Sequence, residues 1–179
     1  DDPAACSAEC RFQTQLHTAS FFDDLLRNTK SLGQKKELHV LFSTETLPAV
    51  LPLPEHPLRR ILNNLLDNAV RYSPCKGTVT LDAAIRDYRD APEKESTLFL
   101  TVSDEGPGFC EDALLYGTEA FYRESADRND KSHFGLGLSI ADQLARGLGG
   151  SIALCNAPAG GAVVIVKLPL TGQIQRDAE

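Results

Sequence analysis

An α/β (α+β) sandwich, with a mixed sheet of about five strands and about three main helices packed on one face, is the fold this sequence predicts. Three observations predict it. Stretches with apolar residues at helical spacing are interleaved with short stretches in which apolar and polar residues alternate. The 179 residues, 42% hydrophobic and 24% charged, are enough for one domain with a sizeable core. No internal repeat and no linker divides them in two.

Residues 1–13 are turn-prone and predict a loose start. From Gln15 to Lys35, Leu16, Ala19, Phe22, Leu25, Leu26 and Leu32 recur at helical spacing, predicting one amphipathic helix that ends near Gly33. Glu37–Ser43 alternates around Leu38, Val40 and Phe42, a strand. Pro48, Pro52, Pro54 and Pro57 punctuate the loop that feeds a second helix over 58–72, which stops at Ser73-Pro74. Thr78–Arg86 and Thr97–Ser103 read as strands joined by a charged, hairpin-like connection, Asp87–Glu95. A short helix is expected around Glu111–Tyr116, and a strong one from Gly135 to Gly147. Ser151–Cys155 and Ala162–Leu168 are two more strands, with Pro158, Gly160 and Gly161 making their turn.

Composition excludes several classes of function. A net charge of −7 argues against general nucleic-acid binding and against an anionic membrane surface as partner. No apolar run approaches the ~18 residues that span a bilayer, and no signal peptide is visible. The lack of any methionine predicts an internal or processed piece. The 5 cysteines are scattered, with no CxxC pair, so free thiols are expected rather than a zinc site.

The helix over 58–72 carries the most informative pattern. At about 100° per residue, Leu58, Ile61, Leu62, Leu65, Leu66 and Ala69 form one apolar side. Asn64, Asn68 and Arg71 fall within about 60° of one another along the border of that side. Desolvating an unpaired amide there costs about 1–3 kcal/mol, so two amides one turn apart, with a cation beyond them, suit a polar ligand bound against the helix. The strand LFLTVS runs directly into Asp104-Glu-Gly106-Pro-Gly108, which sets a carboxylate at the rim of the sheet beside backbone that lacks Cβ atoms. That allows close approach of a flat ligand, with the carboxylate accepting a hydrogen bond from its exocyclic amine. Gly135-Leu136-Gly137-Leu138 opens a helix whose first amides and positive end are ready for phosphate. Between the two, Glu119–Ser125 sets Phe121 and Arg123 in a polar stretch, 109–134, which is expected to act as a mobile lid. Each signal is weak alone, because Gly-Pro-Gly makes turns in many proteins and glycines open helices for packing reasons.

Taken in order, N-x-x-x-N-A, D-x-G-x-G, F-Y-R and G-x-G-L resemble the N, G1, F and G2 boxes of bacterial sensor histidine kinases. The chain is similar to their catalytic and ATP-binding domain, of the Bergerat ATP-binding fold, over roughly 36–170. The resemblance implies three regions: a lead-in, 1–35, that follows the dimerisation region; a catalytic unit, 36–170; and a tail, 171–179. It implies ATP and Mg²⁺ as cofactors, with Mg²⁺ held through Asn68. Asn64 would reach the phosphates or metal-bound water, Arg71 would face the phosphates, and Tyr72 would lie against the nucleotide. Asp104 would bind the adenine amine, Gly106 and Gly108 would hinge the lid, and Phe121 would anchor it. Gly135, Leu136, Gly137 and Leu138 would cradle the phosphates through their backbone. Arg123 would approach the γ-phosphate during transfer. The implied partners are a histidine-bearing dimerisation domain of the parent kinase, acting as a homodimer, and a response regulator. The implied location is the cytoplasmic side, with the parent anchored in the cell membrane.

Two departures from the family pattern stand out. Ser132, His133 and Phe134 occupy places where Gly-Gly-Thr is frequent, and Glu105 stands where Asn is common. None of His17, His39, His56 and His133 is followed by the acidic and basic-polar-Pro pattern of a phosphoacceptor, so the chain is expected to bind ATP without an acceptor of its own. Hydrolytic relatives of the fold carry a glutamate one turn before the metal-binding asparagine to activate water. Asn64 has no such basicity. An anti-sigma-type serine kinase, or a module that binds nucleotide without catalysis, is the alternative reading.

Overall fold

The computed structural model describes residues 15–86, 96–119 and 136–170. Seven strands and four α-helices are described: β1 (Leu16–His17), α1 (Thr18–Gly33), β2 (His39–Ser43), β3 (Val50–Leu51), α2 (Glu55–Tyr72), β4 (Thr78–Arg86), β5 (Thr97–Asp104), α3 (Glu111–Tyr116), α4 (Gly137–Gly147), β6 (Ser151–Asn156) and β7 (Ala162–Pro169). Five strands form one sheet in the order β2-β4-β5-β7-β6, parallel between β2 and β4 and antiparallel elsewhere. The parallel pair is the one that α2 connects, as a strand-helix-strand crossover requires. This is the mixed sheet that the sequence predicts.

Alternation along the strands sends one set of side chains to the helices. Val79, Leu81 and Ala83 of β4, Leu98, Leu100 and Val102 of β5, and Val164, Val166 and Leu168 of β7 are buried under α1, α2 and α4. α2 contributes Leu58, Ile61, Leu62, Leu65, Leu66 and Ala69, all at 3% exposure or less. Truncating any of the larger ones to alanine would cost about 2–5 kcal/mol. The opposite face of the sheet is open, with residues such as Leu41, Ala84 and Lys167 exposed.

α1 departs from the predicted stripe. Its buried residues are Thr18, Phe21, Phe22, Leu25, Thr29 and Gly33, whereas Ala19 is exposed and Leu32 is 55% exposed. The helix begins only at Thr18, because Leu16 and His17 pair with Leu51 and Val50 in a two-residue ladder. Thr18 closes that junction, its N–H donating to Ala49 O at 3.0 Å and its Oγ1 to Pro48 O at 2.6 Å. A ladder this short has no sequence period, so β1 and β3 leave no signal.

The C-terminal end of α2 is held from outside. Lys36 Nζ donates to the carbonyls of Val70 (3.0 Å), Arg71 and Ser73 (2.9 Å). An ammonium at a helix C-terminus meets both the orphan carbonyls and the negative end of the helix dipole. The Ser73 hydroxyl completes the stop by donating to Ala69 O at 2.7 Å.

Candidate functional site

The two asparagines of α2 meet the first residue of α4. Asn64 and Asn68 are half-buried, and α2 packs along α4. A Cβ placed on Gly137 would lie 3.5 Å from Asn64 Oδ1, and 3.7 and 3.8 Å from Asn68 Nδ2 and Oδ1. Asn64 Nδ2 donates to Arg60 O at 2.9 Å within its own helix. α4 starts from Leu136, whose carbonyl accepts from Ser139 Oγ at 3.0 Å and from Ile140 N at 2.8 Å. The first-turn N–H groups of such a helix have no acceptor within it. Two amides and a positive helix end therefore converge around a residue without a side chain. Leu138 turns its side chain to the core, so only its backbone can belong to the site.

The second part of the site is the loop after β5. Asp104 ends that strand, half-buried, and its Oδ1 accepts from Gly106 N at 2.8 Å and from Ala162 N at 3.3 Å. Among the described residues, Oδ2 has no hydrogen-bond partner. Burial raises the Asp104 carboxyl above the ordinary carboxylate range, and the two backbone donors offset only part of this. Gly106 lies against the end of α2, where a Cβ would come within 2.7 Å of Tyr72 O and 2.8 Å of Asp104 Oδ1. Gly108 takes a φ of +77°, in the left-handed region that glycine tolerates. At the end of α2 the Arg71 guanidinium sits 5.4 Å from the centre of the Tyr72 ring, and Tyr72 is 40% exposed.

Asn64, Asn68, Arg71, Tyr72, Asp104, Gly106, Gly108, Leu136, Gly137 and Leu138 thus lie on the α2 edge and C-terminus, on the loop after β5 and on the start of α4. Phe121, Arg123 and Gly135 lie outside the described residues, as do Ser132, His133, Phe134 and most of the expected lid. Glu105 has a local explanation: its Oε2 accepts from Thr78 N at 2.9 Å, tying the loop to the start of β4. Among the described residues no group of His, Cys, Asp and Glu could hold a metal, no helix is long and apolar enough to cross a membrane, and no disulfide joins Cys75, Cys110 and Cys155.

Three contributors are invisible to motif reading. Lys36 acts on α2 from a distant turn. Gly161 (φ +99°) passes under Asp104, where a Cβ would run into the Asp104 carbonyl. Asn156, at the end of β6, accepts from Phe109 N at 2.7 Å and donates to Phe109 O at 2.8 Å. The one available hint for Asn156 is a poor strand former closing a strand ahead of a Gly-Gly turn.

A family model described as "Histidine kinase-, DNA gyrase B-, and HSP90-like ATPase" matches residues 54–172. The chain belongs to that family. Within it, the chain is similar to the sensor histidine kinase SpaK of Bacillus subtilis, 34% identical over 152 residues, which cover 84% of this chain and 31% of SpaK. It is also similar to the signal transduction histidine-protein kinase BaeS of Escherichia coli K12, 36% identical over 121 residues, 67% of this chain and 24% of BaeS. The chain therefore spans less than a third of the length of either relative. Among solved structures, full-length ShkA in complex with AMPPNP superposes with a TM-score of 0.70 at 25% identity, over 87% of this chain and 30% of ShkA. The mycobacterial sensor histidine kinase MprB shares the fold, with a TM-score of 0.70 at 21% identity, over 87% of this chain and 97% of that one.

Proposed function

We propose that this family member is the ATP-binding catalytic domain of a sensor histidine kinase, which donates the γ-phosphoryl group of ATP to a histidine on a dimerisation domain of its parent protein. The observation that carries this is the meeting of Asn64 and Asn68 with Gly137, on a helix whose end packs against the loop of a half-buried carboxylate, Asp104, whose Oδ2 has no hydrogen-bond partner among the described residues. SpaK and BaeS carry kinase names, and ShkA is described in complex with AMPPNP. Residues 36–170 would hold the nucleotide machinery, 1–35 would lead in from the dimerisation region, and 171–179 would form the tail.

Asp104 accepts a hydrogen bond from the adenine amine through Oδ2, while Gly106 lets the ring approach the backbone. Arg71 brings positive charge toward the phosphates from the end of α2, and Tyr72 offers an exposed ring to the nucleotide. The first-turn amides of α4, from Gly137, bind the phosphates, with Gly135 and Leu136 preceding them. Phe121 would anchor the lid, and Arg123 would stabilise charge on the transferring group. The half-buried amide oxygen of Asn68, beside a phosphate-ready helix end, fits a hard cation that otherwise keeps water and phosphate ligands, so Mg²⁺ belongs there. When bound, Mg²⁺ supplies charge neutralisation at the phosphates. Asn64 contacts phosphates or metal-bound water and has no basicity with which to activate that water. Histidine phosphorylation is therefore favoured over hydrolysis, and a response regulator, with a membrane-anchored parent on the cytoplasmic side, completes the relay.

The test is γ-labelled ATP offered to the chain alone, and to the chain with a dimerisation domain bearing an acceptor histidine. Label on the added domain, with none stable on His17, His39, His56 or His133, is expected. Stable label on any of those four, or no nucleotide binding, contradicts the reading.

A further inference from the structure

The β6–β7 hairpin belongs to none of the four boxes, yet it touches the Asp104–Gly108 loop at both ends. At the near end, Ala162 N donates to Asp104 Oδ1 and Gly161 lies under the Asp104 carbonyl. At the far end, the Asn156 amide grips both the N–H and the C=O of Phe109. Gly108 is part of the same contact, because a Cβ on it would fall 2.8 Å from Asn156 Oδ1. A second hold follows one helix later: Gly117, just past α3, packs on β6, where a Cβ would lie 2.9 Å from Leu154 Cδ1. β6 thus seats the segment from Phe109 to Gly117 at two points.

We propose that Asn156 is a positioning residue of the nucleotide site, fixing the point where the chain leaves the adenine-binding loop for α3. This rests on the reading of that loop as a nucleotide site. A side-chain amide carries an acceptor and a donor side by side, so one group accepts from the Phe109 N–H and donates to the Phe109 C=O and sets both the position and the rotation of the Phe109 peptide units. Gly108, in its left-handed conformation, supplies the freedom that the grip removes. In this role Asn156 need not touch the ligand. It acts through the backbone between Asp104 and Phe109.

The test uses Asn156→Ala and Asn156→Asp in the full chain, with nucleotide titration and residue-resolved amide exchange in the absence of nucleotide. For Asn156→Ala we expect about a three- to tenfold loss of ATP affinity, faster exchange at Phe109, and unchanged exchange in β4, β5 and β7. Asn156→Asp keeps an acceptor for the Phe109 N–H but turns a carboxylate oxygen toward the Phe109 carbonyl. It should keep Phe109 protected and still lose affinity. Unchanged affinity in both variants overturns the proposal. So does a loss accompanied by faster exchange throughout the sheet, which would make Asn156 a support of the fold alone. If the unaltered chain binds no nucleotide, the functional reading fails first. That failure is distinguishable, since exchange at Phe109 is measured without nucleotide.

Discussion

The carbonyl of Tyr72 and the α-carbon of Gly106 are packed together so tightly that a Cβ on Gly106 would lie 2.7 Å from the Tyr72 oxygen. Through this contact the end of α2, which carries Arg71 and Tyr72, and the loop that carries Asp104 are fixed as one unit. Lys36 secures the same helix end through the carbonyls of Val70, Arg71 and Ser73.

Gly106→Ala should therefore damage two things together. The new methyl meets backbone oxygen, which cannot swing away as a flexible side chain could, and it also meets Asp104 Oδ1 at 2.8 Å. A stability loss of about 1–3 kcal/mol is expected in urea titration, with weaker ATP binding. A variant as stable and as tightly binding as the parent would show that the contact is dispensable.

Gly137→Ala separates packing from ligand binding. A Cβ at this position meets only ordinary contacts, 3.5 Å or more, and alanine is the better helix former. The melting temperature should hold or rise. The methyl would nevertheless fill the space beside Asn64 and Asn68, so ATP affinity should fall by about tenfold or more. Full affinity would mean that this space is not where phosphate binds.

Asp104→Asn should trade affinity against stability. The folded-state pKa of Asp104 is raised by burial, so its contribution to stability is present below the unfolded value and is lost as pH rises through the folded one. At neutral pH the ionised carboxylate is thus a cost to the nucleotide-free chain. The amide variant should melt at the same or a higher temperature there, the gain vanishing below about pH 4. Its preference for ATP over GTP should shrink by roughly 1.5–3 kcal/mol, because the charge-assisted acceptor is gone. An unchanged preference would remove Asp104 from adenine recognition.

Lys36→Met should cost about 1–3 kcal/mol by urea titration, since the carbonyls of Val70, Arg71 and Ser73 at the end of α2 lose their shared donor and the helix dipole loses its counter-charge. A cost under about 0.5 kcal/mol would show that water replaces the ammonium without penalty.

The main elements were legible because they bury continuous faces. Leu58, Ile61, Leu62, Leu65 and Leu66 announce α2, and the alternation around Leu98, Leu100 and Val102 announces β5. The pairings are beyond that code: nothing in the residues near Lys36 says that its ammonium reaches the end of α2, since the contact spans more than thirty residues of chain. For the same reason Asn156 falls just outside the expected strand Ser151–Cys155 and Glu105 reads as an exposed departure, although each holds a backbone group of a distant segment. The stripe read for α1 fails at Ala19, which at about 100° per residue lies well round the helix from Thr18, Leu25 and Thr29, and at Leu32, which is exposed in the last turn. Motif order pointed to a candidate site, and its described residues lie on α2, on the loop after β5 and at the start of α4. Which backbone atoms hold that loop in place became visible only in three dimensions.

The most direct test of a nucleotide site at Asn64, Asn68 and Gly137 is a titration of the chain with a fluorescent ATP analogue, with and without Mg²⁺, alongside Asn68→Ala. The account predicts that Mg²⁺ tightens binding to the parent chain by about tenfold or more, and that Asn68→Ala binds as the parent does in EDTA but gains little from the metal. An Asn68→Ala variant that keeps the full Mg²⁺ dependence would contradict the assignment of the metal to Asn68. A parent chain that binds no nucleotide would contradict the site itself.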